Sequence, residues 1–176
     1  LFQLHRRYKM NITMDEYLEI IRKKTASLMA SCCECGAFMG KADKRGVKLL
    51  KDFGMNFGMA FQIVDDCLDI IGDERRLGKS IGSDASKGKL TLPLIYLKNS
   101  LPNKEWKRLQ EMFSSSNGTN ISVIKEAAKK YKAIDYCIEK VKGYVSAAEE
   151  NLMRLEDSPE RKSLIELVHY SVNRKS

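Results

Sequence analysis

Between Met59 and Ile71 the chain reads Met-Ala-Phe-Gln-Ile-Val-Asp-Asp-Cys-Leu-Asp-Ile-Ile, so three carboxylates interrupt an otherwise apolar run with no basic residue among them. A helix is the conformation that organises this pattern. It sets Asp65 and Asp69 one turn apart, with Asp66 about 100° round from Asp65. Gln62 then stands on the same side one turn earlier. Like charges at this spacing cost about 0.2–0.5 kcal/mol per pair in water. The cost rises among Phe61, Ile63, Val64, Leu68 and Ile70, where solvent is excluded. A fold containing this helix must therefore bring something positive to the acids, either a basic partner or a hard divalent cation. Mg²⁺ suits the second role, because it binds through one or two carboxylates, keeps several waters and completes its shell with substrate phosphates. The plainer alternative is an aspartate cluster on a solvated helix face.

The rest of the chain is helical in pattern. No segment alternates apolar and polar residues over several positions, whereas a 3–4 spacing recurs throughout, and an all-α fold is expected. Thr13 and Glu16 have the spacing of a capping box. The helix that follows carries Leu18, Ile21, Thr25, Leu28, Cys32 and Cys35 as one continuous stripe, ending near Gly36 and Gly40. Thr25 is a hydroxyl within that stripe and Lys24 stands at its edge. Thr25 could bond its own i−4 carbonyl and Lys24 could simply be solvated or snorkel, so the pair taken alone reads as structure before function. A second long helix begins near Ala42, runs through Val47, Leu50, Phe53, Phe57 and Phe61 into the acidic cluster, and stops at Gly72. Gly54 and Gly58 weaken it but let a neighbouring helix or ligand come close.

Gly72 to Lys89 holds four glycines and five basic residues (Arg75, Arg76, Lys79, Lys87, Lys89), a cationic loop directly after the acids. Its Gly78-Lys79-Ser80 resembles a P-loop only superficially. Five residues rather than four separate Gly72 from Gly78, and a helix rather than a strand precedes it. Lysines here could still reach phosphate oxygens that a metal leaves unsatisfied. Downstream, Pro93 is placed in the first turn of an apolar helix starting at Thr91. Shorter helices follow around Trp106–Phe113 and after a possible cap at Asn120. A long helix then carries Ile134, Ile138, Val141, Val145, Ala148, Leu152 and Leu155, and Asp157-Ser158-Pro159 separates it from a last helix with Leu164, Leu167, Val168 and Val172. These C-terminal helices read as packing. No repeat, linker or second domain interrupts residues 1–176.

The net charge of +8 permits phosphorylated small molecules, membrane surfaces or nucleic acid as partners. Few aromatic residues lie near the basic loop, which argues against nucleic acid. No apolar run approaches a membrane span and no signal-peptide pattern is visible, leaving at most peripheral membrane contact. Five cysteines, three of them crowded at Cys32, Cys33 and Cys35, argue for a reducing compartment, cytoplasmic or organellar, rather than secretion. With His5 and His169 remote in sequence, zinc-ligand spacing is absent.

Taken together, Lys24-Thr25, Phe61-Gln62-Ile-Val-Asp65-Asp66-Cys-Leu-Asp69, Gly78-Lys79, Gly82-Ser-Asp84 and Gly88-Lys89-Leu-Thr91-Leu-Pro93 resemble the C-terminal half of a trans-type polyprenyl diphosphate synthase. The likeness covers nearly the whole chain and is densest between Phe53 and Leu97. It implies an isoprenoid-synthase helical bundle around a central cavity, here lacking the N-terminal helices, and usually a homodimer, with a hetero-oligomer as the variant. It implies condensation of isopentenyl diphosphate with an allylic diphosphate. Asp65, Asp66 and Asp69 would hold Mg²⁺ on the allylic diphosphate, with Asp84 supporting the loop or the metal's waters. Lys24, Lys79 and, in second line, Lys89 would contact the diphosphate. Thr25 and Gln62 would line the place where the cationic carbon develops.

The family's first aspartate-rich motif and its isopentenyl-diphosphate-binding region would lie upstream of Leu1. Since the chain opens on Leu-Phe-Gln-Leu, which reads as helix interior, missing N-terminal sequence is expected and these residues alone are expected to be inactive. A terpene cyclase is disfavoured by the intact Asp-Asp-x-x-Asp. A non-catalytic regulatory subunit of a two-component synthase stays open.

Overall fold

A computed structural model describes residues 11–72, 81–113 and 121–174. Among them the secondary structure is helical throughout: α1 (Met14–Ile21), a π-helical turn (Arg22–Ala26), α2 (Ser27–Met39), α3 (Lys44–Ile71), α4 (Ser83–Ser86), α5 (Leu92–Ser100), α6 (Asn103–Phe113), α7 (Ile121–Lys130), α8 (Ala133–Met153) and α9 (Pro159–Val172). The expected all-α class is therefore what forms. The chain divides into two compact units. One comprises Leu1–Tyr17, Asp65–Ile138 and Lys175–Ser176, the other Leu18–Val64 and Glu139–Arg174. Among the described residues no helix is long and apolar enough to cross a membrane.

Local signals act as their chemistry dictates. The Thr13 hydroxyl accepts from the Glu16 amide at 3.2 Å, and the Glu16 carboxylate accepts from the Thr13 amide at 3.0 Å, closing the capping box. Ser158 caps α9 by accepting from the Arg161 amide, with Pro159 in the first turn. Thr91 precedes α5, where Pro93 sits in the first turn as expected. Asn120, read as a cap for α7, lies outside the described residues.

The second unit is built on close contact between α2 and the first two-thirds of α3. A Cβ on Gly58 would lie 2.5 Å from the Ala26 Cα, and one on Gly54 would lie 2.7 Å from the Met29 carbonyl oxygen. Backbone meets backbone here, which only glycine permits. Behind them Phe53, Ala148, Leu152 and Val168 form the buried core from α3, α8 and α9.

The stripe expected along α1 and α2 is corrected by the π turn. The Ser27 amide donates to the Arg22 carbonyl, five residues back, so one extra residue is accommodated in the turn. The buried line therefore steps from Ile21 to Ala26 and continues through Ala30 to Ala37. Leu28, Cys32 and Cys35, which continue the 3–4 pattern in sequence, are rotated to the exposed side. In α8 a smaller difference appears. Ala133 and Cys137 are fully buried, while Ile134 and Ile138, one residue on in each case, are only partly so.

Candidate functional site

The expected site residues fall into two groups, one in each unit. The acidic group occupies the last turns of α3. Asp66 and Asp69 are 4% and 3% exposed, whereas Asp65 is only half-buried. Burial at that level excludes the solvated-face alternative for Asp66 and Asp69 and requires donors close by. Tyr17 on α1, itself 3% exposed, donates its phenolic proton to Asp66 Oδ2 at 2.7 Å. Burial, then the negative charge and hydrogen bond of Asp66, push the Tyr17 hydroxyl well above its usual range, so it stays protonated and donating.

Asp69 is held from the loop side. Its Oδ2 accepts from the Asp84 backbone amide at 3.0 Å, and its carbonyl accepts from the Gly82 amide at 2.7 Å. Gly82 adopts φ +72°, a left-handed turn that suits glycine, at the start of α4. Lys125 on α7 donates to the Gly72 carbonyl at 3.2 Å, capping the C-terminal end of α3. Cys67, between the acids, shares a hydrogen bond with Cys137 of α8. That bond, then burial, and the nearby Asp66 carboxylate push the Cys137 thiol upward.

The predicted members of this group thus have unequal roles. Asp84 reaches Asp69 through its main chain, while its carboxylate pairs with Lys89 at 2.6 Å. Lys89, expected to face a diphosphate, is engaged in that partly buried pair. Lys79 lies outside the described residues. Among the described residues no three His, Cys, Asp or Glu side chains are placed to enclose one ion.

The second group lies where α2 meets α3. The π turn Arg22–Ala26 carries Lys24 and Thr25. The Thr25 hydroxyl donates to the Gln62 side-chain amide oxygen Oε1 at 2.7 Å, which directs it to a side chain of α3 and away from the i−4 backbone carbonyl. Lys24 is exposed on the same turn. Arg174, near the end of the chain, places its guanidinium 4.5 Å from the centre of the Phe61 ring, and its Nε donates to the Ser171 carbonyl at 2.9 Å. Its Nη2 is buried without a hydrogen-bond partner among the described residues.

Tyr17 and Arg174 escaped sequence reasoning. Tyr17 had a weak signal, since a tyrosine within a buried helical face needs a partner for its hydroxyl. Arg174 had none, because its stacking partner is remote in sequence. A cleft of about 470 Å³ between α6 and α7, lined by residues such as Leu101, Glu105, Leu109 and Lys130, includes none of the predicted site residues.

The polyprenyl synthetase family signature matches residues 1–131. The chain belongs to the polyprenyl synthetase family. It is 34% identical over 166 residues to a short chain isoprenyl diphosphate synthase of Methanothermobacter thermautotrophicus, a match covering 94% of this chain and 51% of that protein. It is 34% identical over 174 residues to heptaprenyl diphosphate synthase component 2 of Bacillus subtilis, covering 98% of this chain and 49% of the relative. Among solved structures, the polyprenyl synthase of Caulobacter crescentus, crystallised with calcium and isoprenyl diphosphate, superposes with a TM-score of 0.92 at 32% identity, covering 99% of this chain and 54% of that one. The isoprenoid-synthase likeness expected from the motifs is thereby shown, and the chain spans about half the length of the curated relatives it matches.

Proposed function

We propose that this chain supplies the allylic-diphosphate half of a trans-prenyltransferase, which condenses isopentenyl diphosphate with an allylic diphosphate to give a longer trans-polyprenyl diphosphate. The observation that carries the reading is the held acidic end of α3, where Asp66 and Asp69 are buried and fixed by Tyr17 and Asp84 while the adjoining Asp65 is only half-buried. A purely structural acidic cluster would have no use for three such groups in one turn and a half of helix.

The donor set is all carboxylate oxygen, which suits a hard cation. Mg²⁺ is such a cation, taking one or two protein carboxylates and filling its shell from water and phosphate. The calcium and isoprenyl diphosphate bound by the Caulobacter relative support this assignment. Asp65 is the proposed direct ligand, and Asp66 and Asp69 hold the turn that presents it. Bound there, Mg²⁺ would act as a Lewis acid that stabilises diphosphate as a leaving group. The family resemblance assigns Lys24 and Lys79 to the diphosphate, whereas Lys89 serves mainly to hold Asp84. Thr25 orients the Gln62 amide, giving a fixed dipole for the allylic carbon as positive charge develops on it. The attacking double bond comes from isopentenyl diphosphate, and the proton released needs no strong base from this chain. Five free cysteines support a reducing compartment, cytoplasmic or organellar.

Homodimerisation follows the family resemblance. The match to component 2 of a heptaprenyl synthase favours a second reading, in which this chain works within a multi-subunit enzyme.

The test is incorporation of labelled isopentenyl diphosphate by a complete synthase containing this chain. Asp65→Asn should lower turnover about a hundredfold or more, the scale of losing one preorganised electrostatic contact, with its melting temperature little changed. Undiminished turnover would refute the assigned role. These residues by themselves should show no incorporation.

A further inference from the structure

The cleft of about 470 Å³ between α6 and α7 has walls drawn from one compact unit and holds none of the candidate site residues. Helix α6 ends at Phe113 and α7 begins at Ile121, while Glu105 near the start of α6 faces Lys130 at the end of α7 at 3.8 Å, so the two run antiparallel. That register sets Arg108 and Leu109 opposite Glu126 and Ala127, and Met112 opposite Val123. Leu109 is buried and Met112, Val123 and Ala127 are half-buried, which gives the cleft an apolar floor. Helices packed for stability alone would close over such side chains and leave little void. The volume retained here is instead that of a small-molecule site.

Charge on the rim selects the ligand. One end of the cleft is satisfied internally, since Glu105 faces Lys130 and also accepts from the Tyr131 hydroxyl at 3.1 Å. Midway along, Arg108 and Glu126 line the opening from opposite helices with opposite charges, too far apart to pair. Neither has a hydrogen bond or ion pair among the described residues. A ligand that completes both offers an anionic acceptor to Arg108 and a cationic donor to Glu126, and lays an apolar chain on the floor between them. Two acids and two bases on the rim balance, so the head that fits carries no net charge. A diphosphate would gain Arg108 and be repelled by Glu126. We propose that the α6–α7 cleft binds a single-chain zwitterionic amphiphile of the lysophospholipid type, its phosphate on Arg108, its ammonium on Glu126 and the start of its chain along Leu109, Met112, Val123 and Ala127. This site is independent of the acidic turns of α3, and its ligand would not compete with diphosphates there.

Trp106, the only tryptophan in the sequence, is buried on α6 between Glu105 and Arg108 and reports on the cleft through its fluorescence. Lauroyl lysophosphatidylethanolamine, kept below its micelle concentration, would be titrated into this chain in EDTA, so that a magnesium-dependent site stays silent. The expected result is a saturable change in Trp106 emission, with one molecule bound per chain by calorimetry. Arg108→Gln and Glu126→Gln should each weaken binding about tenfold or more, the scale of a hydrogen bond to a charged group. Laurate and farnesyl diphosphate, which pair an apolar chain with a purely anionic head, should bind at least about tenfold more weakly than the lysolipid, and Glu126→Lys should reverse that preference. Arg108 and Glu126 are exposed, so helical circular dichroism should be unchanged in the variants. Should a variant lose helicity, the preference of the unmodified chain for the zwitterion over the two anions decides alone. The inference is overturned if the lysolipid does not bind, if the anions bind as tightly, or if the charge variants bind it unchanged. It is also overturned if a response appears only with phosphatidylethanolamine vesicles, which would mark a bilayer surface rather than a site for one molecule. Pyrophosphate binding by the acidic turns is measured separately with Mg²⁺, so failure here leaves the functional reading standing, and failure there leaves this one.

Discussion

The two ends of α3 solve the problem of burial by opposite means. From Lys44 to Val64 the helix sheds side chains, and Gly54 and Gly58 let α2 rest on its backbone beside the buried Phe53. From Asp65 to Ile71 it buries charge, and each acid it encloses is met by a donor, the Tyr17 hydroxyl for Asp66 and the Asp84 amide for Asp69. The first end gains from dispersion and apolar burial, which are non-directional. The second gains little net stability, since a buried polar pair mainly offsets its own desolvation, and loses much if one partner is removed. A helix needing only to pack would have continued as it began. On the proposed function, the change of strategy at Asp65 is where binding rather than packing selects the residues.

The largest stability effect should come from the glycine end. Gly58→Ala adds a methyl 2.5 Å from the Ala26 Cα, where backbone rather than a flexible side chain must yield. Overpacking of this kind costs about 1–3 kcal/mol or more, readable as a lowered midpoint in urea unfolding. A change within 0.5 kcal/mol would show that α2 and α3 are not in that contact.

At the acidic end, Tyr17→Phe leaves the ring and removes the donor. The loss expected is about 1–3 kcal/mol, the cost of leaving a buried acceptor unmet. The variant should also differ in pH dependence. The Tyr17 hydroxyl is raised in the folded chain, so its contribution is fully present below pH 10 and is lost as pH rises through the higher folded value. Above pH 10 wild-type stability should fall by about 1.4 kcal/mol per pH unit from this group alone, and Tyr17→Phe should lack that component. The raised Cys137 acts in the same direction and is common to both proteins. Parallel pH profiles would contradict the buried Tyr17–Asp66 pair.

The smallest effect should follow Arg174→Leu, which keeps apolar cover on Phe61 but removes the cation. A loss of about 0.5–2 kcal/mol is expected for a partly desolvated cation–π contact. Thermal unfolding would measure it, and no change would demote the contact to a surface arrangement.

Much of this fold was legible before the structure because helices announce their ends and faces locally. The Thr13–Glu16 box, the stop at Gly72 and the Pro93 start all depend on residues within one turn. The π turn at Arg22–Ala26 was not legible, since one accommodated residue leaves no trace in composition. Its consequence, the rotation of Leu28, Cys32 and Cys35 out of the buried line, was missed with it. At the site, the acid spacing and the Thr25–Gln62 candidates could be read from the chain, whereas the inequality of Asp65, Asp66 and Asp69 could not. That inequality is set by Tyr17 and by the Asp84 main chain, 49 and 15 residues from the acids they meet. Nothing in residue type or spacing distinguishes a lysine aimed at substrate from one that, like Lys89, neutralises Asp84.

The central claim is that the acidic end of α3 takes up a divalent cation together with a diphosphate, and calorimetric titration of this chain with inorganic pyrophosphate tests it most directly. Binding should require Mg²⁺, vanish with EDTA, and weaken at least tenfold in Asp65→Asn. Pyrophosphate binding of equal strength with and without Mg²⁺, or unaffected by Asp65→Asn, would contradict it.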